Sequence, residues 1–258
     1  EHRVMSITTS SMTSRGSAGR WLPMLCADGH GQMALDTLLL ERSLTTPVLR
    51  FYRWDGPWLS LGRNQSQWPS HWNELANSGR LSMVRRPSGG RAVLHCGGLT
   101  YALIWPQAPR QRQQAYRQAC QWLIDGFQQL GESLRFGDEP ARDEGSHCFA
   151  RSTAADLVDA RGVKRIGSAQ RWLHGRLLQH GEILLDPPEA LWQDVFGEAA
   201  PARAPVSIPR HGLDHHLLQS LQRAWPTLTW QEQPLDDQER QALSRARSAS
   251  EACMVSTT

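Results

Sequence analysis

The sequence predicts an α+β fold, on three observations. Short segments of alternating apolar and polar residues, typical of strands, recur from Trp21 onward. Segments with apolar residues at helical spacing stand among them, without the regular strand–helix alternation of a parallel βαβ repeat. The 258 residues, 40% of them hydrophobic, are enough to bury a core, so we expect one main domain.

The strands are expected in hairpins. The segments PVLRFYRW and WLSLGR are separated by the turn DGP, and SMVRRPSGGRAVLH predicts a strand, a glycine turn and a second strand. The segment LTYALIW predicts another strand, which ends at Pro106. AADLVDARGVKRIGSAQ predicts a hairpin that turns at residues 160–162, and RLLQHGEILLD predicts the strand after it.

Five helices are expected. The first follows a possible Asp28 cap and has Met33, Leu35, Leu38 and Leu39 at helical spacing. The second covers residues 111–130 and is amphipathic. The other three are predicted near residues 188–196, 214–225 and 235–247.

Three regions are expected along the chain. Residues 1–20 are rich in Ser, Thr and Gly and predict a disordered leader, because they carry too few large apolar groups to offset the entropy of ordering. Residues 21–250 are expected to form the folded domain, and residues 251–258 a flexible tail.

The composition excludes several classes of function. The net charge is only +3, and no basic run alternates with aromatic residues, so no nucleic-acid partner is expected. No apolar run reaches the ~18 residues of a membrane span, which favours a soluble, cytoplasmic protein. Five widely spaced cysteines, with no metal-ligand spacing, predict neither a disulfide framework nor a metal site.

Lys164 is the only lysine in the chain, beside 27 arginines. Lysine is a compact point charge on a thin stem and can enter a cleft too narrow for a planar guanidinium. Simple alternation in a strand places Lys164 on one face with Ile166 and Ser168, and Gly167 on the other. A glycine inside a strand often marks the close approach of a ligand. The functional interpretation is an ammonium in a cleft, and the alternative is a solvated surface lysine.

The segment RRPSGGRAVLH carries a second candidate site. Its two glycines permit a tight turn whose backbone N–H groups face a ligand, and arginines surround the turn with positive charge. Such a loop suits an anion or the polar end of a substrate, although a plain turn between strands has the same pattern. The candidate binding residues of this loop are Arg85, Ser88, Gly89, Gly90 and Arg91.

Together these segments resemble a known family. RRPSGGRAVLH, LTYAL, GVKRIGSAQ and LQHGEILLD, in this order, are similar to motifs of the lipoate and octanoate branch of the biotin and lipoate protein ligases. The resemblance runs from about Met24 to Phe196. It implies a mixed β-sheet flanked by helices, related to the catalytic domain of class II aminoacyl-tRNA synthetases, with an acyl tunnel between the glycine loop and the lysine strand. It adds His95, Gly167, Ser168, Ala169 and His180 to the substrate-binding residues and places Lys164 beside the acyl carbonyl.

The family contains two chemistries. Its ligases use ATP and magnesium to make an acyl adenylate, whereas its octanoyltransferases take octanoate from acyl carrier protein through an enzyme thioester and need a nucleophilic cysteine. The segment GSHCFARSTAADLV resembles the Cys-Phe motif of the cysteine octanoyltransferases, where ligases typically carry an SGRND-like segment. The resemblance therefore implies an octanoyltransferase with Cys148 as nucleophile and no cofactor. A nearby cation such as Lys164 would lower the pKa of that thiol.

The resemblance also implies the partners. The donor would be octanoyl-acyl carrier protein, and the acceptor a lysine on the lipoyl domain of a glycine cleavage H protein or of a 2-oxoacid dehydrogenase E2. We expect a monomer. Three alternatives stay open: an ATP-dependent lipoate-protein ligase, which would use ATP and magnesium; an amidotransferase that moves octanoate between lipoyl domains; and a non-catalytic acyl-binding protein.

The histidines and the remaining family positions are less specific. His95 and His180 occupy motif positions, but a histidine in a strand is more often a structural residue with satisfied hydrogen bonds than a catalyst. Asp36 matches a family position on the first helix and is expected to be structural. One position departs from the family pattern: the loop histidine is usually followed by Asp, and here it is followed by Cys96.

Overall fold

The computed structural model describes residues 17–137 and 156–244. Its larger sheet has eight strands in the spatial order β11-β1-β2-β6-β10-β9-β8-β7. Strand β1 runs parallel to both of its neighbours, β11 and β2, and every pairing from β2 to β7 is antiparallel. The strands are β1 (Ser17–Ala27), β2 (Val48–Trp54), β6 (Gly98–Trp105), β7 (Leu134–Phe136), β8 (Asp156–Asp159), β9 (Lys164–Leu173), β10 (Arg176–Leu184) and β11 (Leu228–Glu232).

A smaller sheet of three strands, in the order β4-β3-β5, lies beside it. Its strands are β3 (Trp58–Leu61), β4 (Ser82–Arg85) and β5 (Val93–His95). The helices are α1 (Gly29–Glu41), α2 (Ser70–Asn77), α3 (Arg112–Gln129), α4 (Glu189–Phe196) and α5 (Leu213–Ala224), and residues 237–244 are also helical. As expected, the Asp28 side chain caps α1 by accepting a hydrogen bond from Gly31 N at 2.7 Å.

The two faces of the large sheet pack against different elements. On one face, α3 and α5 cover apolar residues such as Leu103, Ile166 and Ile183. On the other face, α1 contacts β2, β6 and β10 and also reaches β4 of the small sheet. A third apolar cluster joins the small sheet to α2 and α4. The small sheet and the large sheet therefore meet beside α1, and this is where the cleft described below forms.

The predicted fold class, α+β with a mixed sheet flanked by helices, is confirmed. The predicted hairpins are only partly correct. The DGP turn does not close a hairpin, because β2 belongs to the large sheet and β3 to the small one. Strands β4 and β5, on either side of the glycine loop, each pair with β3 rather than with each other. Local turn chemistry predicts where the chain changes direction, whereas long-range packing selects the partner strand.

The N-terminal boundary also differs from the expectation. Residues 17–20 belong to β1, so the predicted disordered leader is wrong for these four residues. Strand β1 pairs with β11 on one side and with β2 on the other. The Arg20 guanidinium donates two hydrogen bonds of 2.8 Å to the buried Glu239 carboxylate. The partners of residues 17–20 are distant in the sequence, so the amino-acid composition of the N-terminal segment does not predict them. In the described ranges no helix is long and apolar enough to cross a membrane.

Candidate functional site

A cleft lies between the large sheet and the small sheet. It holds about 510 Å³ of space free of protein atoms, part of it open to solvent. The large sheet contributes Tyr52, Trp54, Thr100, Asp156, Lys164, Gly167, Ser168, Ala169, His180, Gly181 and Glu182 to its lining. The other lining residues, from α1, the small sheet and the glycine loop, are Met33, Ser60, Arg86, Gly90, Val93 and His95.

Five lining residues form a row across the large sheet. Strand register pairs Tyr52 with Thr100 and Thr100 with Glu182, then Glu182 with Gly167 and Gly167 with Asp156. Directly paired residues of neighbouring strands share a face. Because Gly167 has no side chain, the row has a gap between the Glu182 and Asp156 carboxylates. This gap leaves room for a bound chain beside the strand that carries the lysine.

Lys164 lies on the opposite face from the one that simple alternation predicts. Ile166 is buried in the core under α3 and α5, whereas Lys164 lines the cleft together with Gly167. The cause is a β-bulge: consecutive residues of β8 pair with Ile166 and then with Lys164, so that Arg165 is an extra residue in β9. One inserted residue reverses the alternation of side chains along the strand. The predicted grouping of Lys164 with Ile166 is therefore wrong, whereas Ser168 and Lys164 both line the cleft.

Lys164 is held by a buried carboxylate. Its Nζ atom lies 3.1 Å from Oδ1 of Asp156, and each of the two side chains is only 6% exposed. The neighbouring Arg165 makes a separate buried ion pair of 3.1 Å with Asp159 and donates a hydrogen bond to the Leu184 carbonyl. Of these two cationic residues, Lys164 lines the cleft and Arg165 does not. Removing one partner from a buried ion pair costs about 3–5 kcal/mol, so this geometry is strongly maintained.

His180 lines the cleft and belongs to a hydrogen-bonded network that joins it to α1 and the glycine loop. Its Nδ1 lies 2.9 Å from Asp36 Oδ2 and its Nε2 lies 2.5 Å from Ser88 Oγ. Asp36 also accepts hydrogen bonds of 2.8 Å from Arg50 and Tyr52. Burial alone would raise the pKa of Asp36, but the charge of Arg50 and the bond from His180 hold this pKa below its usual value. Because an ionised carboxylate only accepts, Nδ1 of His180 carries a proton, and in the neutral ring Nε2 accepts from Ser88.

His95 belongs to a second relay, in the cleft itself. Its Nε2 lies 2.8 Å from Ser60 Oγ and its Nδ1 lies 2.9 Å from Glu182 Oε2. Arg86 donates to Ser60 Oγ at 3.2 Å, which directs the Ser60 hydroxyl proton to Nε2. Burial lowers the pKa of His95, although Glu182 acts in the opposite direction, and the Trp54 ring stacks on the imidazole at 4.0 Å. His95 is therefore a neutral ring with hydrogen-bond partners at both nitrogens and the Trp54 ring stacked on it.

The chain has Cys96 where the family pattern has an aspartate, and the carboxylate beside His95 comes from a different residue. The carboxylate that contacts His95 comes from Glu182 on β10, which also accepts a hydrogen bond of 2.5 Å from Thr100. Cys96 itself is half-buried; burial raises the pKa of its thiol, and the Glu182 charge raises it further. Position 96 thus supplies no carboxylate to the cleft, and His95 takes its carboxylate partner from another strand.

The glycine loop divides into residues that line the cleft and residues that support it. Gly90 lines the cleft. A Cβ atom on Gly62 would lie 1.7 Å from the Gly90 carbonyl oxygen, so the two backbones approach closely only because residue 62 is glycine. Ser88 is fully buried and bonds to His180, so it supports the loop from behind. Gly89 is absent from the lining and contributes its carbonyl to a hydrogen bond from Arg86.

Arg86 is the arginine of this loop that lines the cleft. Its guanidinium donates to the carbonyls of Ser60, Gly89 and Arg91 at 3.0, 2.6 and 2.7 Å. Arg85 is exposed on the other side of its strand, where it donates to the Gly62 carbonyl at 2.7 Å. Arg85 and Arg91 are both outside the cleft lining, contrary to the expectation. For Arg85 the reason is that consecutive residues of an extended segment point to opposite faces.

The lysine strand supplies the remaining predicted residues. Gly167, Ser168 and Ala169 all line the cleft. The Ser168 hydroxyl also forms a hydrogen bond of 2.6 Å with the Tyr101 hydroxyl. The cleft wall beside Lys164 is thus built from a glycine and an alanine, with the serine hydroxyl already paired.

The predicted nucleophile, Cys148, lies outside the described residues. Three other cysteines are described, and none suits a thiolate in the cleft. Cys26 is exposed on β1 and absent from the cleft lining, Cys96 has a raised pKa, and burial raises the pKa of Cys120 to about 12. Within the described ranges, no group of His, Cys, Asp and Glu side chains is arranged to hold a metal ion.

Comparison with known proteins identifies the family to which this fold belongs. The model of the lipoyl protein ligase A/B catalytic domain matches residues 28–228, most of the chain. The chain belongs to the lipoyl protein ligase A/B catalytic domain family. Curated relatives include octanoyltransferase LipM of Halalkalibacterium halodurans and of Bacillus subtilis, each 37% identical over 179 residues, which is 64% of this chain and 64% of the relative. The match thus spans less than two thirds of the length of these relatives.

Solved structures show the same family fold. A putative lipoate protein ligase from T. acidophilum with bound lipoic acid has a TM-score of 0.73 at 18% identity and covers 89% of this chain and 94% of its own. Lipoate-protein ligase A bound with ATP has a TM-score of 0.74 at 17% identity, with coverage of 89% and 93%. At these identities the likeness establishes the fold of the lipoyl ligase catalytic domain.

Sequence reasoning missed several residues of this lipoyl ligase cleft. Asp156 and Glu182 carry no motif signal of their own, and their proximity depends on strand register across β8, β9 and β10. Glu182 stands two residues after His180, so alternation alone places it on the same face, and this signal was available in the sequence. The other lining residues not predicted are Met33, Tyr52, Trp54, Ser60, Arg86, Val93, Thr100 and Gly181.

Proposed function

We propose that this protein is an octanoyltransferase of protein lipoylation, which moves an octanoyl group from acyl carrier protein to the lysine of a lipoyl domain through a thioester on Cys148. The observation that carries the proposal is the Lys164–Asp156 pair in the cleft, on a chain whose curated relatives are named octanoyltransferases. Cys148 precedes Asp156 closely in the sequence. The acceptor would be the lipoyl domain of a glycine cleavage H protein or of an E2 subunit.

The first step exchanges one thioester for another. The Cys148 thiolate attacks the octanoyl carbonyl of the donor, the new C–S bond forms, and the carrier sulfur leaves as a thiolate. A cation close to a cysteine favours its thiolate form. Lys164 is a cation that lines the cleft on the same strand as the small residues Gly167 and Ala169. Its ammonium would stabilise both the attacking sulfur and the negative charge that develops on the carbonyl oxygen.

The second step forms the amide. The neutral amine of the acceptor lysine attacks the Cys148 thioester, the C–N bond forms and the C–S bond breaks. The proton that the amine loses goes to the leaving sulfur, which restores the thiol beside the same ammonium. The two histidines do not act as bases in this scheme, because both ring nitrogens of His95 and of His180 already have protein partners. In this scheme the chain needs no cofactor, since the donor thioester supplies the activated acyl group.

A direct test is the formation of the acyl-enzyme. Incubation with octanoyl-acyl carrier protein, without ATP, is expected to give a hydroxylamine-labile adduct by mass spectrometry. Cys148→Ser should abolish the adduct, because an alcohol is far less ionised than a thiol in this setting. Cys96→Ser is the control and should retain most of the activity, since burial disfavours the Cys96 thiolate.

The alternatives give different results in the same assay. Absence of the adduct, with acyl transfer on addition of ATP, magnesium and lipoate, would identify a lipoate-protein ligase, which the fold of the solved structures also accommodates. An adduct formed only from an octanoylated lipoyl domain would identify an amidotransferase. An adduct on Cys96 instead of Cys148 would show that the nucleophile is wrongly assigned.

A further inference from the structure

The charge of the chain is unevenly distributed along its sequence. Residues 56–124 contain eight arginines and a single acidic residue, Glu74, so this segment has a formal charge of +7. The whole chain has a formal charge of only +3, so the remaining residues together carry −4. The segment contains the small sheet and the glycine loop. One side of the cleft is therefore built from a strongly basic part of the chain.

Two loops of this segment meet at the edge of the cleft. The Arg63 backbone N–H donates to the Ser88 carbonyl at 2.9 Å, and the Arg85 guanidinium donates to the Gly62 carbonyl at 2.7 Å. Gly90, which is exposed and lines the cleft, packs against Gly62. The two loops therefore form one surface beside the cleft, an arginine rim. The rim comprises residues 62–65 and 85–91 and carries Arg63, Arg85, Arg86 and Arg91.

No carboxylate of the described residues pairs with the two exposed arginines of the rim. Arg63 is exposed, and its guanidinium makes no ion pair or hydrogen bond within the described ranges. Arg85 is also exposed and donates to backbone carbonyls of residues 62–65, which hold the side chain without cancelling its charge. Arg80 in the same segment differs, because it pairs with Asp194 at 2.6 Å. The rim thus offers positive charge to a molecule that approaches the cleft, over a distance on the order of 8 Å at physiological ionic strength.

A positive rim favours one of the two partners of the proposed transfer. The acceptor brings a lysine side chain, a cation at neutral pH, to a cleft that already contains Lys164. Further positive charge at the rim would repel it. The donor carries its acyl group as an uncharged thioester. An acidic surface around that thioester would be attracted to Arg63 and Arg85, and this attraction would speed its approach.

We propose that the arginine rim is the docking surface for the acyl carrier protein, which it contacts through acidic residues on that protein. The inference rests on the proposed function, because it assumes that octanoate arrives on this donor. It requires no particular nucleophile, since docking precedes the chemical step and involves only the two loops of the rim. Arg63 is the residue to substitute, because its backbone N–H and not its side chain holds the loops together.

The test compares two octanoyl donors with the same acceptor, a lipoyl domain, in the absence of ATP. Octanoyl-acyl carrier protein presents a protein surface, whereas S-octanoyl-pantetheine presents the thioester without one. Arg63→Glu should lower kcat/KM for octanoyl-acyl carrier protein about tenfold, the low end of the range for electrostatic steering. The kcat/KM for S-octanoyl-pantetheine and the KM for the lipoyl domain should not change, because Arg63 is outside the cleft lining. Arg63→Lys keeps the charge and should retain most of the wild-type rate.

The matched control is Arg112→Glu, which reverses the charge of another exposed arginine of residues 56–124. Arg112 begins α3, which covers the face of the large sheet opposite to the cleft. This substitution should leave the rates with both donors unchanged. Raising the salt concentration from about 0.05 M to about 0.5 M should lower the wild-type rate with the carrier protein and spare the rate with the small donor, because salt screens exposed charges.

Four outcomes would count against the docking surface. An unchanged kcat/KM for octanoyl-acyl carrier protein in Arg63→Glu, or an equal loss with both donors, would overturn it. A rise in the KM for the lipoyl domain would assign the rim to the acceptor instead. Equal use of both donors by the wild-type protein would leave the octanoyltransferase proposal intact and overturn the docking surface alone. If the wild-type protein transfers octanoate from neither donor without ATP, the octanoyltransferase proposal fails first, and the docking surface fails with it.

Discussion

At the scale of single residues, the cleft is lined by the one lysine of a chain that has 27 arginines. Lys164 is 7% exposed and pairs with a carboxylate of the neighbouring strand. A guanidinium is wider and planar, and it would need more room beside Asp156 than a compact ammonium does. The shape of this cation is therefore expected to matter as well as its charge.

The Lys164→Arg substitution tests this expectation. It keeps the charge, but it should misplace both the thiolate and the acyl carbonyl, and a shift on the order of 1 Å can cost about a hundredfold in rate. We expect a loss of at least about tenfold in the rate of octanoyl transfer. Arg80→Lys, a change in an exposed ion pair with Asp194, is the control and should be neutral. A near-wild-type rate in Lys164→Arg would show that only the charge is required.

The Lys164→Ala substitution tests whether the positive charge of Lys164 affects the Cys148 thiol. Without the ammonium, the Cys148 thiolate should be less favoured. Labelling by iodoacetamide at Cys148 should then move to higher pH than in the wild-type protein. The measurement is the rate of labelling between about pH 6 and pH 10, in a Cys96→Ser background so that the Cys96 thiol does not contribute. An unchanged profile would exclude electrostatic coupling between the two residues.

At the scale of elements, strand geometry decides which face each side chain occupies. The bulge at Arg165 turns Lys164 toward the cleft. On the adjacent strand, Gly181 has no space for a side chain: a Cβ atom there would lie 2.6 Å from Ser168 Oγ, 2.7 Å from the Gly167 carbonyl and 2.8 Å from the Tyr101 ring. The close pairing of β9 and β10 therefore depends on a glycine at this position.

The Gly181→Ala substitution should be destabilising for this reason. Overpacking in a buried site costs about 1–3 kcal/mol, and the midpoint of urea unfolding should fall accordingly. Gly56→Ala is a suitable control, because a Cβ atom at Gly56 has no neighbour within 4 Å. Equal unfolding midpoints for Gly181→Ala and the wild-type protein would contradict the tight packing of these two strands.

At the scale of the whole molecule, two buried histidine relays join the small sheet and its loop to the large sheet. His95 on β5 bonds to Glu182 on β10, and Ser88 of the glycine loop bonds to His180 on β10. Burial holds the pKa of His95 below its ordinary value of 6.5. The unfolded chain therefore binds a proton at this histidine before the folded chain does, and the stability that neutral His95 contributes is lost as the pH falls below about 6.5.

This linkage predicts a pH-dependent stability. The free energy of unfolding should decrease between pH 7 and pH 5, and His95→Gln should make this decrease smaller. The exposed His211 is the control, and His211→Gln should leave the dependence unchanged. The measurement is urea unfolding at several pH values across this range. A dependence that is the same with and without His95 would show that other groups control it.

The sequence by itself determined the class of fold, the positions of most helices and strands and the motifs of the lipoyl ligase family, and it marked Lys164 as a candidate for a cleft. Each of these rests on information local to a few residues. The helical spacing of α1 and the apolar alternation of β6 follow from the periodicities of helix and strand. Lys164 was identifiable because a single lysine among arginines is a property of composition.

Only the tertiary structure decided which groups meet. The bulge placed Lys164 on the face that simple alternation excluded, strand register brought Asp156 and Glu182 to either side of Gly167, and Glu182 became the partner of His95 in a chain with cysteine at position 96. These contacts join residues of different strands, and one inserted residue changes which of them share a face. The physical reason is that strand pairing depends on the packing of the whole sheet, which no short stretch of sequence specifies.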